Sequence, residues 1–364
     1  MCKIAILQGD GIGSEVTSQG VKILRVIGEK YDMNFQMEEG IIGGSAFDKL
    51  GTSLPESTVE LCEECDAILF GAAGGPKWDE LPSDERPEKA LAILRKKLEL
   101  FINLRPIKVR KALVGTLPVK PEIVGDGMDM VLVRELIGGL YYGQPKERNA
   151  ERAVDTMIYT AGEVERIARA AFELARKRSR KLTSVDKENM LEASKLWRAV
   201  VTRVGRDYPD VKLNHILVDN CAFQIVKAPQ QFDVIVAGNI FGDILSDELG
   251  ALAGSLGMCP SASLGYDKRG LYEPIHGTAP DIAGKGIANP IGMILSVAMM
   301  LRHSFDMDEQ AENVEKAVEA VLDKGYRTAD IAEKGRRTVS TDEMGDLIAR
   351  EIENNRRGAE EDSR

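Results

Sequence analysis

Val234-Ile-Val-Ala-Gly-Asn239-Ile-Phe-Gly-Asp243-Ile-Leu-Ser-Asp247 is the stretch on which the reading of this chain turns. Its first four residues are apolar without polar alternation, which predicts a short strand buried on both faces. Gly238 interrupts the run, and a helix is expected to start near Asp243. A strand that hands acidic residues to a helix is the connection of an α/β protein, where ligands lie beyond the strands' carboxyl ends. Asp243 and Asp247 then stand one turn apart on one helix face. Neighbouring carboxylates repel unless a cation or a shared proton lies between them. A hard divalent ion such as Mg²⁺ takes oxygen ligands of this kind. Asp219, ending the apolar run Ile216–Val218, is a third candidate ligand. A helix start decorated with acids accounts for the same pattern equally well.

Outward from that stretch, Lys3–Leu7, Ala67–Phe70, Met128–Val133 and Thr183–Val185 read as further strands, and helices are expected between them. The pattern is α/β layering. The region Tyr141–Tyr159 is polar and aperiodic and reads as an arm, and Gly254–Asn289 reads as a long Gly/Pro/Ser loop. At 364 residues the chain is long for one core and suggests two domains. A net charge of −10 argues against a nucleic-acid partner. The longest late apolar run, Ile291–Leu301, is too short to span a bilayer. Five scattered cysteines and no visible leader in MCKIAILQGDGIG lead us to expect a reducing, cytoplasmic setting without a membrane partner.

Three features invite over-reading. Gly9-Asp10-Gly11-Ile12-Gly13-Ser14 resembles a dinucleotide fingerprint, but Ser14 occupies the third glycine's place, so a Rossmann site is not expected. Cys62-Glu-Glu-Cys65 has metal-ligand spacing without a second pair, and reads as a buried helix face. The basic run Arg176–Lys181 closes a helix, where cations complement the dipole.

Other residues carry candidate chemistry. In the helix after Pro87, Glu88, Leu91, Ala92 and Arg95 share one face. Arg105 and Arg134 lie on separate segments, and three converging guanidinia would clamp a polycarboxylate. Each arginine alone reads equally as a surface ion pair. Lys187, in Ser184-Val-Asp-Lys187-Glu-Asn189, falls where a strand passes into a helix. A buried lysine at a helix start has a depressed pKa and can act as a base. A solvated lysine at a helix start is the plainer reading. The Gly/Pro-rich stretch Glu273–Pro290 leaves backbone N–H groups free to meet a ligand.

Taken together, these stretches resemble the β-decarboxylating dehydrogenases of the isocitrate/isopropylmalate type. GDGIG, Gly74-Gly-Pro-Lys-Trp78-Asp79, Val133-Arg-Glu-Leu, Gly138-Gly-Leu-Tyr141-Tyr-Gly, Ser184–Lys187, Asn239–Asp247 and Glu273–Pro290 carry the likeness, from Lys3 to about Arg302. The resemblance implies a two-domain α/β fold with a non-Rossmann cofactor site. One domain is formed from roughly 1–100 and 254–364, the other from about 101–253, with the latter supplying the homodimer contact and its arm. It implies that Arg95, Arg105 and Arg134 hold the carboxylates of a 2-hydroxy acid. Glu88, Leu91, Ala92 and Asp219 would line the rest of the substrate. Asp243 and Asp247 of one subunit, with Asp219 of its neighbour, would hold Mg²⁺ or Mn²⁺, and a monovalent cation stays open as an addition. Lys187, also from the neighbour, would be the general base and Tyr141 the general acid.

For the cofactor, the resemblance implicates Gly75, Glu88, Glu273, His276, Gly277, Ala279, Asp281, Ile282 and Asn289. Asp281 would repel a 2′-phosphate, so NAD is expected over NADP. The apolar Leu91 and Ala92 favour 3-isopropylmalate over isocitrate, homoisocitrate, tartrate or malate. Ala92, where leucine is frequent, implies tolerance of other 3-substituted malates.

Overall fold

The computed structural model describes residues 2–82 and 85–355. It divides into two compact units, one from residues up to Leu98 together with those from Gly254 onward, the other Glu99–Ala253. In the first unit β1 (Cys2–Gly9), α1 (Gly13–Tyr31), β2 (Phe35–Gly40), α2 (Gly44–Leu50), α3 (Glu56–Glu64), β3 (Ala67–Ala72) and α4 (Pro87–Lys97) follow one another. The second unit carries β4 (Ile102–Val109), α5 (Pro121–Val124), β5 (Met128–Glu135), β6 (Glu147–Arg148), β7 (Ala153–Val154), α6 (Ala161–Arg176) and β8 (Lys181–Asp186). It continues with α7 (Glu192–Gly205), β9 (Lys212–Leu217), α8 (Val218–Lys227), β10 (Val234–Ala237) and α9 (Asn239–Leu252). The chain then returns to the first unit with β11 (Pro260–Leu264), β12 (Gly270–Pro274), α10 (Ile291–His303), α11 (Asp308–Asp323), β13 (Tyr326–Arg327), β14 (Arg337–Thr338) and α12 (Thr341–Asn354).

Strands of the first unit run in the order β2-β1-β3-β12-β11, parallel except for β11. Those of the second run β4-β5-β10-β8-β9, parallel except for β4. Parallel central strands are covered on both faces, so β3 and β10 are buried at every residue. Helix α10 is buried from Ile291 to Leu301, which accounts for its apolar run. No helix among the described residues is long and apolar enough to cross a membrane.

Four local expectations are corrected. Helix α9 begins at Asn239 rather than near Asp243, because Gly238 already serves as its extended N-cap. Lys187 is not at a helix start: the chain makes one turn, with the Met190 and Leu191 N–H groups donating to its carbonyl, before α7 begins at Glu192. The helical periodicity of Pro87–Phe101 predicts a helix through Phe101, but the helix stops at Lys97, and Glu99 takes a left-handed φ of 52°. The stretch Gly254–Asn289 contains β11 and β12, which are five residues each and buried almost throughout, so neither shows alternation. The arm region forms the β6–β7 hairpin, and Cys62 and Cys65 are buried free thiols at the end of α3.

Close backbone contact explains one glycine. A Cβ on Gly71 would lie 2.2 Å from the Gln8 carbonyl oxygen and 2.8 Å from the Gly13 Cα. Gly71→Ala is therefore expected to destabilise the chain by about 1–3 kcal/mol through overpacking. Gly162→Ala, into open space on α6, is expected to stabilise it by about 0.4–1 kcal/mol. Thermal and urea midpoints of the two variants against the parent check both signs.

Candidate active site

Arg134, Tyr141, Lys187, Asp219, Asp243 and Asp247 sit on or just beyond the carboxyl ends of the second unit's parallel strands, and Arg105 lies on the antiparallel β4, two residues from Asn103, the register partner of Arg134. Arg134 and Ala237 are register partners on β5 and β10, and Ala237 pairs in turn with Val185 on β8. Tyr141 follows β5, Lys187 follows β8, Asp219 follows β9, and Asp243 and Asp247 follow β10.

Arg134 reaches Asp243 at 2.5 Å, with a side chain only 4% exposed. Arg105, 8% exposed, lies 3.5 Å from Asp243 and 3.7 Å from Asp247. It also donates to Asn103 Oδ1 at 2.8 Å and to the Ser246 hydroxyl. Two of the three arginines thus converge, as a clamp requires. The Tyr141 hydroxyl donates to the second oxygen of Asp243 at 2.9 Å. Burial first, then the Asp243 charge, raises the Tyr141 pKa and keeps the phenol protonated. Burial and the Asp243 charge also raise Asp247, against the opposing pull of Arg105.

Asn239 organises this cluster and was not singled out from the sequence. Its Oδ1 accepts from Arg134 Nε at 3.2 Å and from a terminal guanidinium nitrogen at 2.7 Å. Its Nδ2 donates to the carbonyls of Leu136 and Gly138, on the loop that leads to Tyr141. Its backbone N–H donates to the Tyr159 hydroxyl at 2.7 Å. Gly242 makes room for the same arginine: a Cβ there would stand 2.7 Å from Arg134 Cγ. On the loop's other side the fully buried Glu135 accepts the N–H groups of Ile137 and Gly138 at 3.2 and 2.9 Å.

Lys187 and Asp219 form a separate pair at 2.6 Å. The backbone N–H of Lys187 donates to Ser194 Oγ, and the preceding Asp186 is gripped by Arg198 through two bonds. Among the described residues no three His, Cys, Asp or Glu side chains come together to hold a metal. Asp243 and Asp247 still offer hard oxygen donors on one side of α9, the chemistry a divalent cation takes, with the remaining ligands left to come from elsewhere. Asp219 is on α8, paired with Lys187 rather than with these two.

In the first unit, the loops after β1, β3 and β12 leave the same edge of the sheet. Glu88, Leu91, Ala92 and Arg95 lie off the core face of α4, which Pro87, Ala90 and Leu94 occupy; Glu88 is exposed and the other three are half-buried. Arg95 pairs with the buried Glu273, while its Nε is buried without a partner among the described residues. The Glu88 carboxylate rests against Gly74, next to Gly75, whose φ is 148°. Past β12, the His276 Nδ1 meets the Gly277 carbonyl, and its Nε2 is buried with no partner among the described residues. Burial lowers the His276 pKa, so the ring is held neutral. Ala279 adopts a left-handed φ of 39°, Asp281 is exposed and Ile282 half-buried. Asn289 is committed to the fold: its Oδ1 accepts from Ile291 N–H and its Nδ2 donates to Asp330.

A family model described as isocitrate/isopropylmalate dehydrogenase matches residues 3–348. The chain belongs to this family. The dehydrogenase chain is 57% identical over 355 residues to a 3-isopropylmalate dehydrogenase of Aquifex aeolicus, covering 96% of this chain and 97% of the relative. It is 56% identical to a 3-isopropylmalate dehydrogenase of Thermotoga maritima, over 96% and 99% of the two chains. Among solved structures it is similar to isocitrate dehydrogenase from Methylococcus capsulatus, with a TM-score of 0.86 at 34% identity over 97% and 100% of the chains. A β-decarboxylating dehydrogenase from Thermococcus kodakarensis gives a TM-score of 0.79 at 36% identity, over 97% of each chain.

Glu135 gives this dehydrogenase a pH signature. Burial raises its pKa from 4.5 to about 7, against the pull of the two N–H bonds and Arg166. Between those values the folded chain holds more protons than the unfolded one, so this group's contribution to stability falls as pH rises from about 4.5 to about 7. Above that range it is level. Glu135→Gln is expected to remove this slope, seen as a stability difference from the parent that changes with pH only inside the window.

Proposed function

We propose that this chain catalyses the NAD-dependent oxidative decarboxylation of (2R,3S)-3-isopropylmalate to 4-methyl-2-oxopentanoate and CO₂, in leucine biosynthesis. The observation that carries this reading is the Arg105–Arg134–Asp243–Tyr141 cluster, in a chain more than half identical to proteins of that name. A divalent cation, Mg²⁺ or Mn²⁺, supplies Lewis acidity toward the substrate's oxygens when bound at Asp243 and Asp247 with Asp219 of a second copy, and NAD supplies the hydride-accepting ring.

The chain's own residues do the rest. Arg105 and Arg134 present buried guanidinium N–H groups to the substrate carboxylates, in competition with Asp243, and Arg95 contributes its Nε, which has no partner among the described residues. Leu91 and Ala92 offer the alkyl group an apolar surface, and Glu88 borders it. Lys187 takes the hydroxyl proton, its head group oriented by Asp219. The hydride leaves C2, the bond to the β-carboxylate breaks to release CO₂, and Tyr141 returns a proton to C3. Its phenol is protonated at neutral pH and so is equipped to donate.

His276, Gly277, Ala279, Asp281 and Ile282, with Gly75, are the groups proposed to meet the cofactor, Glu88, Glu273 and Asn289 holding their surroundings. The exposed Asp281 carboxylate favours the ribose hydroxyls of NAD over a 2′-phosphate. The five cysteines are free thiols, which suits the cytoplasm.

Initial rates with Mg²⁺ and NAD across malate, 3-methylmalate, 3-isopropylmalate, tartrate, isocitrate and homoisocitrate test the reading. We expect kcat/KM to peak at 3-isopropylmalate and activity to vanish on adding a chelator. A peak at isocitrate would overturn the assignment of Leu91 and Ala92 to an alkyl pocket.

The working form is proposed to be a homodimer with shared sites. Phe223 and Val226 on α8 are 56% and 48% exposed, and Ile244 on α9 is 62% exposed, large apolar groups on the helices that carry the acids. Asp219 and Lys187, apart from Asp243 within one chain, would be contributed by the second copy. Lys187→Ala and Asp243→Asn are each expected to be inactive. Co-expressed, they should regain about one quarter of parent activity, because half the dimers are mixed and each mixed dimer keeps one intact site. Failure of the mixture to recover any activity would mean that each chain builds its site alone.

A further inference from the structure

The segment Gly9–Ser14 does not match a dinucleotide fingerprint, yet the side chains of Asp10 within it and of Glu15 next to it are bound up with the loops proposed to meet the cofactor. Asp10 is buried, and its carboxylate accepts three backbone N–H groups: Gly44 at 2.7 Å, Ser45 at 2.7 Å and Gly74 at 2.9 Å. It thereby fixes the start of the loop that contains Gly75. The Ile12 N–H donates to the Thr278 carbonyl at 2.9 Å, beside His276 and Ala279. Gly11 lies so close that a Cβ there would stand 2.1 Å from that same oxygen. One turn further, Glu15 accepts the Gly284 N–H with one carboxylate oxygen and the Gly286 N–H, at 3.1 Å, with the other.

The glycines at that last contact are there for conformation. Gly284 and Gly286 have φ of 76° and 64°, and a Cβ on either would meet nothing within 4 Å. Their left-handed backbone turns two N–H groups toward one carboxylate. The far side of the loop is tied to α12, where the Thr341 N–H donates to the Gly286 carbonyl and the Thr341 hydroxyl to that of Ala288. The part from Ala279 to Ile282 is thus suspended between Ile12 and Glu15.

From this geometry we infer that Glu15 is a positioning residue for the cofactor, setting affinity for NAD by holding the Ala279–Gly286 loop in its binding shape. The inference rests on the assignment of that loop to the cofactor. Glu15 itself touches no reacting atom, so its effect falls on cofactor binding and leaves the chemical step alone. Pre-forming the loop removes an ordering cost from binding, and releasing it restores that cost.

The test uses the full chain with Mg²⁺, varying NAD at saturating 3-isopropylmalate and then the reverse, for Glu15→Gln, Glu15→Ala and Asp281→Ala. Glu15→Ala loses both acceptors and is expected to raise the KM for NAD about five- to tenfold. Glu15→Gln, which keeps one carbonyl acceptor, should fall between it and the parent. Both should keep kcat and the KM for 3-isopropylmalate within about twofold, with an unchanged cofactor-free melting midpoint, a split that general loosening would not produce. An unchanged KM for NAD in both variants, with Asp281→Ala still raising it, would overturn the inference and leave the cofactor loop standing. If Asp281→Ala also has no effect, the loop assignment itself falls. Equal rises in both KM values with a lowered melting midpoint would likewise overturn the inference.

Discussion

Two guanidinia almost out of water depend on the carboxylate that lies against both of them. Arg134 and Arg105 are 4% and 8% exposed, and a buried guanidinium without a counter-charge costs several kcal/mol. Asp243 is that counter-charge, and Asp247 sits close enough to share it. The acids are less dependent on the arginines, since the Asp247 side chain is 60% exposed and water screens its repulsion with Asp243. Everything around the group serves this balance. Gly242 lets Arg134 lie against α9, Asn239 fixes its Nε and one terminal nitrogen, and Ser246 and Asn103 hold Arg105. A lone ligand of either sign would disturb the arrangement. An anionic substrate arriving with a cation leaves the total unchanged.

The two units solve the same problem at the same place, the carboxyl ends of their parallel strands. There the backbone has finished its ladder and its polar groups are free for other partners. In the second unit the spare groups hold a charged cluster. In the first they hold one another, as Asp10 and Glu15 take up N–H groups from three neighbouring loops.

Much of this could be read in the residues. The apolar run Val234–Ala237 and the acids after it located β10 and α9, because a fully buried parallel strand has no alternation to blur it. Lys187 and Tyr141 were reached through motifs whose order along the chain is distinctive. Other features left no local trace. Strands β11 and β12 are five residues each and lie among glycines and prolines, and β11 is mostly small residues, so neither shows a period. Asn239, Glu135 and Glu15 act through bonds to residues far along the chain or to backbone atoms, and neither spacing nor composition records such a bond. The pairing of Lys187 with Asp219 is likewise tertiary. Convergence of Arg105 with Arg134 needed the antiparallel β4–β5 pairing before it could be seen.

The first unit is assembled from both ends of the chain, and this has a consequence for its synthesis. β3 ends at Ala72, while its neighbour β12 begins only at Gly270. At ribosomal speed the interval between them lasts on the order of ten to forty seconds. Throughout that time β3, buried at every residue in the finished fold, keeps one edge without a hydrogen-bonding partner. Glu99–Ala253 emerges whole in the meantime and can fold ahead of the residues that preceded it. The nascent chain is therefore most exposed to mispairing at Ala67–Ala72, and a chaperone that shields this segment protects the yield of the whole molecule.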